Sequence, residues 1–154
     1  MTTTSAESGR LVLIDTNVLL SATDRDRSRH QRAVLFLSTD ERQLAISPQI
    51  VREYLAVSTR PIDANGLGLS VREASANVEQ LLDVMSLLAE GPGTTVKLLE
   101  LIGTIPVVGK QIHDANVVAV ALANGVDTIV TDNIRHFTRF ASLITIEELG
   151  STPL

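Results

Sequence analysis

Eighteen Asp and Glu residues are spread along the 154-residue chain, and four of them fall where chemistry can be done. Asp15 directly follows the apolar run Leu11-Val12-Leu13-Ile14, and Asp132 stands just beyond Asp127-Thr128-Ile129-Val130. Glu53 has Ile50 three residues before it and Val57 four after, which puts its carboxylate on the seam of a helical apolar stripe. Asp114 opens a stretch, 111 to 124, that is almost wholly apolar after it. Carboxylates brought together without counter-ions repel and raise one another's pKa. A cation relieves that repulsion, and an all-oxygen donor set suits a hard ion such as Mg²⁺ or Mn²⁺. The chain has no cysteine, so zinc ribbons, iron–sulfur centres, disulfide scaffolds and thiol nucleophiles are excluded.

The elements that must position these acids can be read from the pattern. Residues 11–14 form an uninterrupted apolar segment, as expected of a strand buried on both faces of a parallel sheet. A helix is expected over 30–38 and a second strand over 43–46. Ser47-Pro48 is a helix start, with an N-cap hydroxyl and a proline whose fixed φ suits the first turn, and that helix runs to about Ser58. Ser70 caps a further helix from Val71 into the eighties, and Thr94 or Thr95 begins a short one to Ile102. The helix 111–124 stops at Asn124-Gly125, a strand follows over 127–130, and an edge strand is expected over 143–146. Strands alternating with helices give an α/β fold: a single domain with a central, mainly parallel sheet flanked by helices. Asp15 and Asp132 then lie at carboxyl ends of strands, the edge where such sheets bind ligands. A helix antiparallel to its strand brings Asp114 to the same edge.

Taken singly, each acid has a plain structural reading. Asp15 before Thr16-Asn17 resembles a helix cap, Asp114 a first-turn acid favoured by the helix dipole, Glu53 a boundary glutamate and Asp132 a turn residue beside Asn133. Their convergence on one edge is what favours a site. Basic residues offer two patches. Arg25, Arg27, Arg29 and Arg32 fall within eight positions, interleaved with Asp24, Asp26 and His30, and Arg135, His136 and Arg139 follow Asp132. Each patch, with Lys110, is either a solvated face or a contact for phosphates. His113 beside Asp114 reads better as a structural hydrogen-bonding residue than as a base. Gly103 to Gly109-Lys110 has the wrong spacing for a phosphate-binding loop, with Gln111 where Ser or Thr is required. Only 3% of residues are aromatic, which argues against a base-stacking platform.

Net charge is −5 and mean hydropathy is positive, so the chain is neither disordered nor a broad phosphate-neutralising surface. Four neutralised carboxylates would bring the charge near zero. The opening MTTTSAESGR has no apolar run for a signal peptide, and no stretch is long enough to span a bilayer. The expectation is a soluble, cytoplasmic protein with a flexible tail over 1–10 and one domain over 11–154.

At this point the motifs resemble those of PIN-domain ribonucleases, in particular VapC-type toxins of toxin–antitoxin systems. Leu13-Ile14-Asp15-Thr16-Asn17-Val18-Leu19-Leu20 is similar to their opening motif, and Ser47-Pro48 with Glu53-Tyr54-Leu55 to the second. Gly109-Lys110-Gln111-Ile112-His113-Asp114-Ala115 resembles the third, and Thr131-Asp132-Asn133 through Arg135-His136-Phe137 the fourth. The resemblance implies Mg²⁺, with Mn²⁺ as an alternative, on Asp15, Glu53, Asp114 and Asp132. Thr16, Asn17, Thr131 and Asn133 would support these acids. It also implies hydrolysis of RNA phosphodiesters, a small antitoxin partner and a homodimer. One departure stands out: the family's fourth acid often lies two residues after the threonine, where this chain has Asn133. The competing readings are a catalytically degenerate PIN fold that only binds or regulates, and an aspartyl-phosphate enzyme or receiver domain. Asn17 and the absence of paired acids before Asp15 disfavour the latter two.

Overall fold

The computed structural model describes residues 10–150. Five strands, β1 (Leu11–Ile14), β2 (Gln43–Ile46), β3 (Ser86–Leu87), β4 (Thr128–Thr131) and β5 (Thr145–Glu148), form one sheet in the order β3-β2-β1-β4-β5. Every pairing is parallel. Six helices connect them: α1 (Thr16–Thr23), α2 (His30–Thr39), α3 (Pro48–Thr59), α4 (Val71–Val84), α5 (Pro92–Thr104) and α6 (Gln111–Ala123). Three single-turn 3₁₀ segments complete the secondary structure.

The order of the strands decides where the helices go. From β1 the chain steps to β2 and then β3 on one side, and only then crosses to β4 and β5 on the other. Right-handed crossovers place α1 to α4 on one face and α5 with α6 on the opposite face. The packing agrees: α1 meets α2 and α3, α3 meets α4, and α5 packs along α6. Both faces being covered explains why β1 is an unbroken apolar run and why all four residues of β4 are buried, rather than alternating in and out. Val12, Leu13, Ile14, Ala45, Ile46, Ile129 and Val130 form the centre of the core, with Val117 to Ala121 of α6 against them.

Local chemistry sets the helix ends. Ser47 accepts from the Ile50 N–H at 3.3 Å with Pro48 in the first turn, as the sequence predicts. Ser70 and Glu73 form a reciprocal capping box at the start of α4. α6 ends in Gly125, whose φ of 71° favours glycine. α5 starts two residues before the predicted Thr94, because Pro92 fits a first turn and the Thr94 hydroxyl takes the Gly91 N–H at 3.3 Å. β5 starts two residues after the predicted 143. Leu143 and Ile144 are turned back onto the Phe140 carbonyl, and the ladder begins only where the Thr145 N–H reaches the Asp127 carbonyl.

Residues 1–9 of the expected tail lie outside the described residues. Arg10, placed in that tail by the sequence, is instead tied to the sheet: its carbonyl accepts from Gln43 and its guanidinium pairs with Asp127 at 3.1 Å.

Candidate active site at the carboxyl edge of the sheet

The reversal of direction at β1 opens a crevice beyond the carboxyl ends of β1 and β4, and Asp15 lies in it. Its N–H donates to the Val130 carbonyl at 2.9 Å, and the Thr131 hydroxyl donates to Oδ2 at 2.9 Å. Thr131, itself fully buried, is kept oriented by the Asn133 N–H, which donates to its oxygen at 3.0 Å. Only 6% of Asp15 is exposed. Burial pushes its pKa up to about 6; hydrogen bonds from Thr131 and the Thr16 backbone oppose the rise, while the charges of Glu53 and Asp114 add to it.

Glu53 reaches the crevice from α3. Thr16 donates its hydroxyl to Oε2 at 2.8 Å, and Gln49, one turn earlier on the same helix face, donates to Oε1 at 2.9 Å. Buried Gln49 also donates to the His113 carbonyl at 2.9 Å, and its own oxygen accepts from Asn116 at 2.6 Å. Asn116 in turn points at Glu90 Oε2, 3.3 Å away. This amide network joins α3 to the first turn of α6, which carries Asp114. Asp114 is also raised above the ordinary carboxylate range, by burial first and by Glu53, against the opposing charges of His136, Arg139 and His113. Three elements therefore bring Asp15, Glu53 and Asp114 into one electrostatic field.

Asp132 is placed differently. Thr131, the last residue of β4, turns its hydroxyl to Asp15, while Asp132, in the bend just past the strand, turns to other partners. Its Oδ2 accepts from Ser21 of α1 at 2.8 Å, and Arg29 Nη1 lies 3.1 Å from Oδ1. The guanidinium N–H is not well aimed at Oδ1, so the contact is an ion pair without a good hydrogen bond. Asn133 uses its side chain locally, accepting from the Arg135 N–H and meeting His136 Nε2 at 3.2 Å. Asn17 is half-buried in the first turn of α1.

The basic candidates divide. Arg29 and Arg32 reach the carbonyls of Leu149 and Gly150, and Arg27 pairs with Asp24 at 3.6 Å. Arg25, Lys110 and Arg135 are exposed. Sequence reasoning missed Gln49 and Asn116. The first had a readable signal, its i−4 spacing from Glu53; the second had none, because its partners come from other elements.

The donor chemistry fits a hard divalent ion: oxygen ligands only, one of them buried, and two of them with raised pKa. Among the described residues, however, no three His, Asp or Glu side chains are gathered closely enough to hold an ion as they stand.

A family model described as the PIN domain matches residues 11–135, most of the chain, with the first three motifs and the fourth as far as Arg135. The chain belongs to the PIN-domain family. No curated protein matches its sequence. Solved structures share the PIN fold at low identity. VapBC2 from Rickettsia felis bound to a DNA fragment from its promoter is 20% identical over 90% of this chain and 98% of that one, with a TM-score of 0.63. A toxin–antitoxin complex from Klebsiella pneumoniae is 18% identical over 82% and 90%, with a TM-score of 0.59. VapC20 of Mycobacterium tuberculosis, a toxin that cleaves the Sarcin-Ricin loop, is 15% identical over 77% and 86%, with a TM-score of 0.60. In this PIN domain, no helix among the described residues is long and apolar enough to cross a membrane.

Proposed function

We propose that this PIN domain is a divalent-metal-dependent endoribonuclease of the VapC type, paired in the cytoplasm with a small antitoxin. The observation that carries the reading is the shared field of Asp15, Glu53 and Asp114 at the sheet's carboxyl edge, with Asp15 buried and its pKa near 6. Such a carboxyl group is poorly stable as an isolated anion and well suited to a cation. Mg²⁺ or Mn²⁺, when bound, supplies Lewis acidity and a water of lowered pKa for attack on a phosphodiester. The chain's own residues prepare that event: Thr131 orients Asp15, Thr16 and Gln49 hold Glu53, and the amide network fixes the start of α6 beside them. No serine or cysteine nucleophile is needed. Single-stranded RNA suits a narrow notch better than a duplex. The antitoxin reading is supported by the fold shared with the Klebsiella complex. A homodimer is supported by Val96 and Leu99, one turn apart on α5 and 58% and 60% exposed.

The test is cleavage of end-labelled single-stranded RNA with Mg²⁺, with Mn²⁺ and with EDTA. Cleavage should require the metal, and Asp15→Asn or Asp114→Asn should slow it at least about 100-fold while circular dichroism stays unchanged. A double variant cutting at the wild-type rate would show the site is misassigned. Metal binding without any cleavage would favour the degenerate, binding-only PIN fold.

A further inference from the structure

Asp132 is the one of the four candidate acids held in a direct ion pair. Its side chain is only 15% exposed, and the Arg29 guanidinium beside it also stands 3.5 Å from Glu148 and donates to the Leu149 carbonyl at 3.1 Å. Arg29 closes the turn before α2, and the next residue, His30, places its ring Nδ1 2.8 Å from the Ser21 carbonyl. Ser21 gives its hydroxyl to the other Asp132 oxygen. The carboxylate is thus gripped from α1 and from the α1–α2 turn, and Arg29 carries the grip on to the end of β5. A divalent ion at about 2.1 Å from Oδ1 would lie within about 5 Å of the guanidinium charge and be repelled by it.

Resting on the nuclease reading above, we propose that Arg29 and Ser21 hold Asp132 as a positioning residue. Its charge is neutralised by Arg29, and the metal site of this PIN domain is built on Asp15, Glu53 and Asp114 without it. Asp132 then serves to lock the α1–α2 turn and the end of β5 against the end of β4, which keeps Thr131, its immediate neighbour, in register with Asp15. The offset of the fourth motif has a physical meaning here: an acid one residue early, directly after the last residue of β4, meets Ser21 and Arg29 instead of the crevice.

Mn²⁺ affinity, read by electron paramagnetic resonance on the full chain, separates a ligand from a positioning residue. Asp132→Asn should weaken Mn²⁺ binding by no more than the few-fold that the unpaired Arg29 charge adds, where Asp114→Asn weakens it at least tenfold. Arg29→Met should tighten Mn²⁺ binding several-fold by leaving the Asp132 charge uncompensated, and Arg29→Met with Asp132→Asn should return it to the wild-type value. Arg29→Lys, which keeps the charge, should resemble wild type and provides a folded variant if Arg29→Met is unstable. A tenfold loss in Asp132→Asn would make Asp132 a ligand and overturn the proposal. If the wild type bound no Mn²⁺ and cut no RNA, the nuclease reading would fall by itself. The Arg29–Asp132 grip would then be judged on metal-free melting. Losses in the two single variants that exceed the loss in the double variant support it, and strictly additive losses overturn it.

Discussion

Asp15 shows how burial and charge turn one carboxyl group into a pH-dependent element of the molecule. With its folded pKa near 6 against an ordinary 3.8, the folded state binds this proton more tightly than the unfolded state. Stability of the metal-free protein is therefore highest below about pH 4 from this group and is lost as the pH climbs to about 6, a change on the order of 3 kcal/mol. Asp114 shifts in the same direction and adds to the slope. Asp15→Asn should flatten this part of the profile and raise the melting temperature of the metal-free protein above pH 6. Mg²⁺ should stabilise the wild type more at pH 8 than at pH 5, since protons and metal compete for the same oxygens. Melts of wild type and an Asp15/Asp114 double Asn variant, with and without Mg²⁺, check this. Equal gains would place the ion elsewhere.

Among the elements, β5 depends most on distant side chains. It is an edge strand, and Arg42, just before β2, forks onto Glu147 at 2.8 Å through both nitrogens while also gripping Asp40. All three side chains are about four-fifths buried, so screening is weaker than at the surface. Arg42→Ala should cost about 2 kcal/mol in urea unfolding and loosen β5 first in hydrogen exchange. The Asp40 carboxyl lies below its ordinary range because of Arg42, so its contribution is present at neutral pH and lost as acid takes the carboxylate through its folded pKa. Ser70→Ala should cost about 1 kcal/mol by removing one half of the α4 capping box. Elements with their own signals were legible: the apolar strands β1 and β2, Ser47-Pro48 opening α3, Asn124-Gly125 closing α6. β3 was not, since two residues carry no period, and neither was α1, whose apolar Val18 to Leu20 follow β1 after only the polar Asp15-Thr16-Asn17 and are too few to show a helical period.

For the whole molecule, the apolar side chains left uncovered on α5 bear on assembly. Sedimentation at tens of micromolar should show a homodimer, on the scale of ordinary protein contacts. A monomer at that concentration would count against it. The domain itself is held by one continuous core on both faces of a parallel sheet, so its strands pair only after long crossovers have closed.

Chain order and residue type were enough to determine the α/β alternation, the parallel sheet and the convergence of Asp15, Glu53 and Asp114 on one edge. Apolar runs, caps and the carboxyl ends of strands are local patterns, and right-handed crossovers leave few ways to assemble them. Tertiary structure alone decided what each acid meets there. Gln49, which holds Glu53, is tied to His113 and Asn116 across 64 and 67 residues of chain, and Arg29 reaches Asp132 across the gap between the α1–α2 turn and the end of β4. Partnerships of this kind depend on side-chain direction at the ends of packed elements. The strand ends between Thr131 and Asp132, and these two residues, adjacent in sequence, meet an aspartate and an arginine.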